Sequence, residues 1–532
     1  MNLKSFFYNY IVNSIVSLQS RFPTYIWALC LLVGVTLACV RYEFQESDNV
    51  VGRITPVGES TKTSRFLPGT YMPGDVNEIT YSTVVVSGTP TPDATRPVDV
   101  VRTANNYTVV SGDTLSTIAR SHRVSITSLR QENNLNTDLL SIGQVLIIPN
   151  TFLDIGSDRK LIPDSELVYG PGQIGFDVDE FLSQWNGYVN NIVETDHRGI
   201  TRNGSEIINY VAENYSVNPR LLIVVLENKT GWVKGSEVGN ISITYPFGYV
   251  NSGYKGLLRQ LSWAADVLNY GFYSWMQESL NQMSFDDGTQ LVFAPGLNAG
   301  TVAVQYYFSR FLDKTDWNKM MVNRVFDDLY ADMFGDPFGY GYEPLLPSIL
   351  EQPPLKWPWS LDEVWYFTGG PHGGWDSGSA WAGIDFGPPE GSIGCQTSQA
   401  WIRASTDGRV VRSSEGAVVQ DLDGDGYEQT GWNLIYMHID SVDRVELGRD
   451  LIAGDLIGHV SCEGGYSSAT HLHFSRKYNG VWIAADDPNT PFNLDGWLVE
   501  SSLREYDGWL VKGDRRIEAW YGPGKINSVI LP

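Results

Sequence analysis

A chain of 532 residues carrying a formal charge of −24 exceeds one ordinary domain. It is also too acidic to have nucleic acid or anionic lipid as its main partner, because those ligands reward a basic surface. With 42% apolar and 12% aromatic residues it can fill several cores, which excludes global disorder.

Tyr25 to Val40 is sixteen residues without charge, preceded by Lys4 and Arg21. That is short of the roughly 20 residues a spanning helix needs and closer to the apolar part of a signal peptide. Residues 1–40 are therefore expected to be a signal peptide or a membrane anchor. The end of this stretch, Leu37-Ala38-Cys39, resembles a bacterial lipoprotein signal, which makes Cys39 a candidate for lipidation, although Thr36 stands where leucine is usual. Everything beyond is expected outside the cytoplasm, touching a membrane only through this segment.

Residues 41–105 are rich in Thr, Ser, Pro, Gly and Val without a helical period and read as a linker, with Thr80 to Val86 as its best candidate strand. Residues 106–150 read as strand, helix, helix, strand. Tyr107 to Val110 is extended, Ser111-Gly112-Asp113-Thr114 turns into a helix, and a closing strand ends at Pro149. Gly112-Asp113-Thr114-Leu115, Ile118-Ala119, Leu129, Asn133, Gly143-Gln144 and Ile148-Pro149 together resemble a LysM domain. That resemblance implies binding to N-acetylglucosamine-containing glycan, chiefly peptidoglycan, with Gly112, Asp113 and Thr114 as candidate contacts. The same residues also suffice to hold the small fold.

Residues 151–338 carry helical apolar periods, among them 219–226 and 261–268. The run 212–232 resembles the catalytic-helix region of lysozyme-like lytic transglycosylases. Lys229 stands where that family has its glutamate, however, with Glu227 the nearest carboxylate. A lysine cannot donate a proton to a glycosidic oxygen as a carboxylic acid does, so a spacer or a domain without glycosidase chemistry is expected. Prolines 344, 347, 353, 354 and 358 make 339–360 a stiff connector. Residues 361–532, rich in Gly, Trp, Val and turn dipeptides, read as an antiparallel β domain. The fold class is thus multidomain α+β.

Five of the seven histidines fall between positions 371 and 474. His372 precedes Asp385 by thirteen positions, and His471-Leu472-His473 alternates as a strand does, so both imidazoles face one side. Two histidines and a carboxylate form a catalytic zinc set that leaves one position for water. His372, Asp385 and His473 are the candidate ligands. His438 and His471 are candidates for proton transfer and charge stabilisation. His372 can also pair with Asp376, leaving Asp385 structural. His122, His197 and His459 have no assignable role.

Gly383-Ile384-Asp385-Phe386, Tyr436-Met437-His438, Gly454-Asp455-Leu456-Ile457-Gly458 and His471-Leu472-His473-Phe474 together resemble the M23 metallopeptidases. These are zinc endopeptidases that cut peptide cross-links of bacterial peptidoglycan. Trp381, four residues before Asp385, excludes the lysostaphin-like ligand position, and His372 matches the LasA-like one. The resemblance implies an exported hydrolase whose partners are glycan strands and stem or cross-link peptides. The runner-up is a non-catalytic wall-binding or amidase-activating protein on a degenerate fold.

Cys395 and Cys462 can pair as a disulfide in an exported protein, though two separate buried thiols fit the same spacing. Asp421, Asp423 and Asp425 sit at positions 1, 3 and 5 of an EF-hand-like loop and make a weak calcium candidate. Trp432 occupies the position of the bidentate glutamate, and a polar hairpin turn explains the run as well.

Overall fold

The computed structural model describes residues 105–122, 124–148, 154–391 and 393–531. The expected leader or anchor, Cys39 and the linker with its candidate strand lie outside the described residues. Among the described residues no helix is long and apolar enough to cross a membrane.

The first described unit pairs β1 (Asn105–Thr108) antiparallel with β2 (Val145–Ile148), and α1 (Leu115–Ser121) and α2 (Ile126–Glu132) lie between them in sequence. Leu115, Ile118, Leu129 and Leu146 fill its small core. Thr114 caps α1 in a capping box closed by Thr117. Asp113 accepts hydrogen bonds from the Tyr107 hydroxyl (2.9 Å) and the Val110 amide (2.8 Å). Gly112 takes φ +97°, where a side chain is strained. In this structure all three candidate glycan contacts serve the turn itself.

The middle region is helical. Asn203 and Glu206 form a capping box at the start of α3 (Gly204–Tyr215), and Ser216 ends it in a left-handed conformation. Asn218 and Pro219 then open α4 (Pro219–Thr230), which buries Leu221 to Leu226. The longest helix among the described residues, α5 (Leu257–Met276), packs on α6 (Ala299–Ser309). The Arg220 guanidinium binds the buried Glu166 carboxylate (2.7 Å), which Asn218 also reaches, so that this charge is paired and hydrogen-bonded.

The C-terminal region is an antiparallel sheet. Its strands are β3 (Trp365–His372), β4 (Gly383–Gly387), β5 (Gly408–Ser414), β6 (Ala417–Asp421), β7 (Trp432–Met437), β8 (Asp450–Leu451), β9 (Leu472–Tyr478) and β10 (Ser528–Val529). They are ordered β8-β5-β6-β7-β9-β4-β3-β10. Alternation along the strands gives the sheet two unlike faces. Ile384, Phe386, Val418, Leu434, Tyr436, Leu472 and Phe474 point to one core, together with Trp357, Trp359 and Trp497.

The other face carries a row that follows the strand register: Ala417 opposite Met437, Met437 opposite His473, His473 opposite Asp385. The helical region packs on this second face, and Ala417, Val419, Ile435, Met437 and Trp482 share one core with α3 to α6. Polar contacts fasten the seam. The Tyr215 hydroxyl donates to Asp376 (3.0 Å), Ser216 to the Gly480 carbonyl (2.7 Å), and Arg412 to Asn214 (2.8 Å).

Candidate active site

The register of β3, β4 and β9 brings His372, Asp385 and His473 to one point, all buried. His372 Nε2 lies 2.9 Å from His473 Nδ1 and 3.2 Å from Asp385 Oδ1, and His473 Nδ1 lies 3.2 Å from the same oxygen. Ligands bonded to zinc at 2.0–2.1 Å in a tetrahedron stand about 3.3 Å apart, so the triangle has the dimensions of a zinc site.

The remaining ring nitrogens decide what the triangle can hold. His372 Nδ1 lies 2.8 Å from the Gly370 carbonyl, and His473 Nε2 lies 3.1 Å from the Gly374 carbonyl. A carbonyl only accepts, so both hydrogens sit on these outer nitrogens. The inner nitrogens then present lone pairs to each other and to a carboxylate, an arrangement stable only with a proton or a cation among them. Outward hydrogen bonds of this kind orient metal-ligating histidines. Two glycines allow the close packing. A Cβ at Gly383 would meet the His473 ring at 2.2 Å, and one at Gly369 would meet the Asp385 carboxylate at 2.7 Å.

Charges follow the same geometry. Burial pushes the Asp385 carboxyl up, but the neighbouring imidazoles, His372 first, outweigh it and hold the group well below the usual carboxylate range. Burial opposes charge on His372, yet Asp385 draws its pKa upward. Burial lowers that of His473. His438 is pushed well below the ordinary value, first by burial and then by His471 and His473, so it is neutral.

His438 and His471 stand beside the triangle with ring centroids 4.4 Å apart. His471 falls one residue before β9, yet its Nε2 reaches within 3.6 Å of Asp385 Oδ1, so the alternation extends past the strand. Nδ1 of His438 faces the Glu463 carbonyl (2.8 Å), and Nδ1 of His471 faces that of Ala469 (2.7 Å). Each therefore turns an Nε2 lone pair away from its anchoring carbonyl. His438 holds φ +65°, a left-handed conformation unusual for a side-chain-bearing residue.

Tyr506 was not singled out in the sequence. Its ring lies flat against His372, centroids 4.2 Å apart and 17° from parallel. It comes from the C-terminal extension and no local pattern marks it.

Other sequence candidates are placed differently. Asp376 bonds Tyr215 and the Ser377 amide rather than pairing with His372. Cys395 and Cys462 form a disulfide. Asp421, Asp423 and Asp425 come together, but their oxygens accept from the loop's own amides: Asp421 from residues 423, 424 and 426, Asp423 from 425, and Asp425 from 427. That is the hairpin-turn reading, and it lends calcium no support. Glu227 accepts from the Val233 and Lys234 amides, and the Lys229 ammonium lies over the Phe311 ring at 4.1 Å, so neither is arranged as a glycosidase acid. His459 packs on Trp401, His122 on Tyr107, and His197 meets Arg259.

Three parts of the chain match known protein families. Residues 107–149 match the LysM domain and residues 379–485 match peptidase family M23, a span that includes Asp385, His438, His471 and His473 but not His372. Residues 160–345 match the LasA N-terminal domain. The chain is 22% identical over 352 residues to Protease LasA of Pseudomonas aeruginosa strain UCBPP-PA14, covering 62% of this chain and 77% of that protein. Among solved structures, the M23 metalloprotease pseudoalterin from the deep sea is 23% identical, covering 33% of this chain and 99% of that one, with a TM-score of 0.27. The catalytic domain of lysostaphin from Staphylococcus simulans is 24% identical, covering 23% and 87%, with a TM-score of 0.17.

Proposed function

We propose that this chain, an M23 peptidase domain joined to a LysM module, is an exported zinc endopeptidase that cuts the peptide cross-links of bacterial peptidoglycan. The observation that carries the reading is the triangle of His372 Nε2, His473 Nδ1 and Asp385 Oδ1, whose outer hydrogens are committed to backbone carbonyls. Those three atoms would hold the ion. Zinc, when bound there, supplies a water of lowered pKa and polarises the scissile carbonyl.

The chain's own residues do the rest. His471, anchored through Nδ1, receives the proton of the attacking water at Nε2. His438, buried and neutral, offers a second acceptor beside it, and once protonated it can give that proton to the developing oxyanion or the leaving nitrogen. Tyr506 closes one side of His372 and limits solvent there. The LysM module keeps glycan near the site, so that the second encounter is intramolecular. Gly112, Asp113 and Thr114 shape the loop that would face the sugar.

The test is release of new amino termini from defined peptidoglycan fragments. The protein is assayed as the full chain and after nicking in the 339–360 connector, each with and without a chelator. Cleavage should vanish with the metal and return on zinc addition. Cleavage that survives complete metal removal overturns the metallopeptidase reading. A chain that takes up no zinc and cuts nothing supports the wall-binding alternative.

A further inference from the structure

The imidazoles of His438 and His471 get their direction from two backbone carbonyls, those of Glu463 and Ala469. Both carbonyls lie in one loop, between Val460 and His471, and that loop has little regular structure of its own. Its only covalent attachment to a distant part of the chain is the Cys395–Cys462 disulfide.

Hydrogen bonds continue from the residues flanking both cysteines toward the two histidines. On one side, Cys462 adjoins Glu463, whose carbonyl faces His438 Nδ1. The flanking Ser461 donates its amide (2.6 Å) and its hydroxyl (3.1 Å) to the His438 carbonyl. The Glu463 carboxylate is itself held by the amide and hydroxyl of Ser441 (3.0 and 2.8 Å). On the other side, the residues flanking Cys395 grip Thr470, next to His471. The Thr470 amide donates to the Gly394 carbonyl (2.6 Å) and its hydroxyl to that of Gln396 (2.5 Å). Ser467 ties the two ends together. Its hydroxyl donates to the Ala469 carbonyl (2.7 Å) and lies 3.5 Å from Cys462 Sγ.

The metal triangle is placed by other contacts, although His471 Nε2 comes within 3.6 Å of Asp385 Oδ1. His372, Asp385 and His473 are placed by β3, β4 and β9 and by the carbonyls of Gly370 and Gly374.

We propose that the Cys395–Cys462 disulfide is a positioning element for His438 and His471, fixing the tautomer and aim of both imidazoles while leaving the metal triangle unaffected. The proposal rests on the proton-transfer roles assigned above. A cross-link that served stability alone could lie anywhere on the surface. This one sits between the carbonyls that orient one histidine and those that hold the neighbour of the other. Cys395 is exposed and Cys462 half-buried, so the bond is within reach of reagents in the folded chain.

The test compares the full chain with a Cys395→Ala/Cys462→Ala double variant, reading imidazole nitrogen shifts by NMR together with zinc content. In the wild type, His438 and His471 should each show a single Nδ1–H tautomer. In the variant both should show averaged or mixed tautomers, while zinc content and the shifts of His372 and His473 stay as they were. Turnover should fall at least about tenfold with KM changed less than about twofold, because a catalytic group about 1 Å out of place costs rate rather than binding. Where the variant folds poorly, a trialkylphosphine adds two electrons and two protons to the bond in the folded wild type, becoming its oxide. Reoxidation should then restore both tautomers and rate. Unchanged tautomers in the reduced or substituted chain overturn the proposal, as does loss of zinc in parallel with rate. A wild type that shows the fixed tautomers but hydrolyses nothing sinks the peptidase reading instead.

Discussion

Two groups of ligand-bearing side chains sit on the same sheet, and they differ in where their hydrogens go. In the His372–Asp385–His473 group the outer ring nitrogens donate away from the centre, to Gly370 and Gly374, and the inner atoms are acceptors only. In the Asp421–Asp423–Asp425 group the carboxylates turn onto the amides of their own loop. Burial, with the hydrogen bond to Asp421, also pushes the Asp423 carboxyl up to about 7. Three potential ligands in reach of one another are thus not enough by themselves to mark a metal site. A site needs lone pairs that remain free to face the ion.

The largest expected effect tests that rule directly. Saturating zinc should raise the melting temperature of the wild type by roughly 10 °C, the size expected of a ligand far above its dissociation constant. His473→Ala should abolish the shift, and Asp423→Asn should leave it intact. Millimolar calcium should move the transition by less than about 1 °C. A calcium shift as large as the zinc shift, read in the same melting curves, would break the comparison.

A pair of carboxylates at the seam sharpens it. Asp266 on α5 reaches across the seam to the Gly378 amide (2.6 Å) and the Ser377 hydroxyl (3.2 Å), in the loop that joins the two ligand strands. Burial, and next the nearby Asp376, push the Asp266 carboxyl up to about 7 from 3.8. A raised folded-state value means that the protonated form belongs to the folded state. Its stabilising contribution is complete below about pH 4 and is lost as pH rises through about 7. Unfolding by urea should therefore show on the order of 2 kcal/mol less stability at pH 8 than at pH 5 from this group. Asp266→Asn, which keeps an acceptor but no charge, should flatten that slope. An unaltered slope in the variant would remove Asp266 as its source.

The smallest effect concerns the LysM turn, where Asp113 and Thr114, like Asp421, satisfy local amides. Thr114→Ala should cost about 1 kcal/mol of that unit's stability through loss of the N-cap. At temperatures where the unit stays folded, glycan affinity measured by calorimetry should change less than about twofold. A larger loss of affinity would make Thr114 a sugar contact as well as a cap.

Much of this was legible in the primary structure because the relevant physics is local. The strand period set His471 and His473 on one side, while the choice between Asp385 and Asp376 stayed open. Turn residues and helical spacing delimited the strand-helix-helix-strand unit. In the 212–232 run, Lys229 already stood where a glycosidase acid would need a glutamate. The nearest carboxylate, Glu227, turns back to accept from the amides of residues 233 and 234.

By itself, then, the order of residues determined which side chains could be ligands, where the strands and helices fall, and which residues of a strand share a face, since each follows from periodicity and cap chemistry within a few positions. Only the tertiary structure decided which nitrogen of each imidazole bears its hydrogen, that Tyr506 covers His372, that Cys395 meets Cys462, and that the helical region lies on the sheet face carrying the site. Those facts depend on partners dozens or hundreds of residues away, whose approach is set by the packing of whole layers rather than by any local preference.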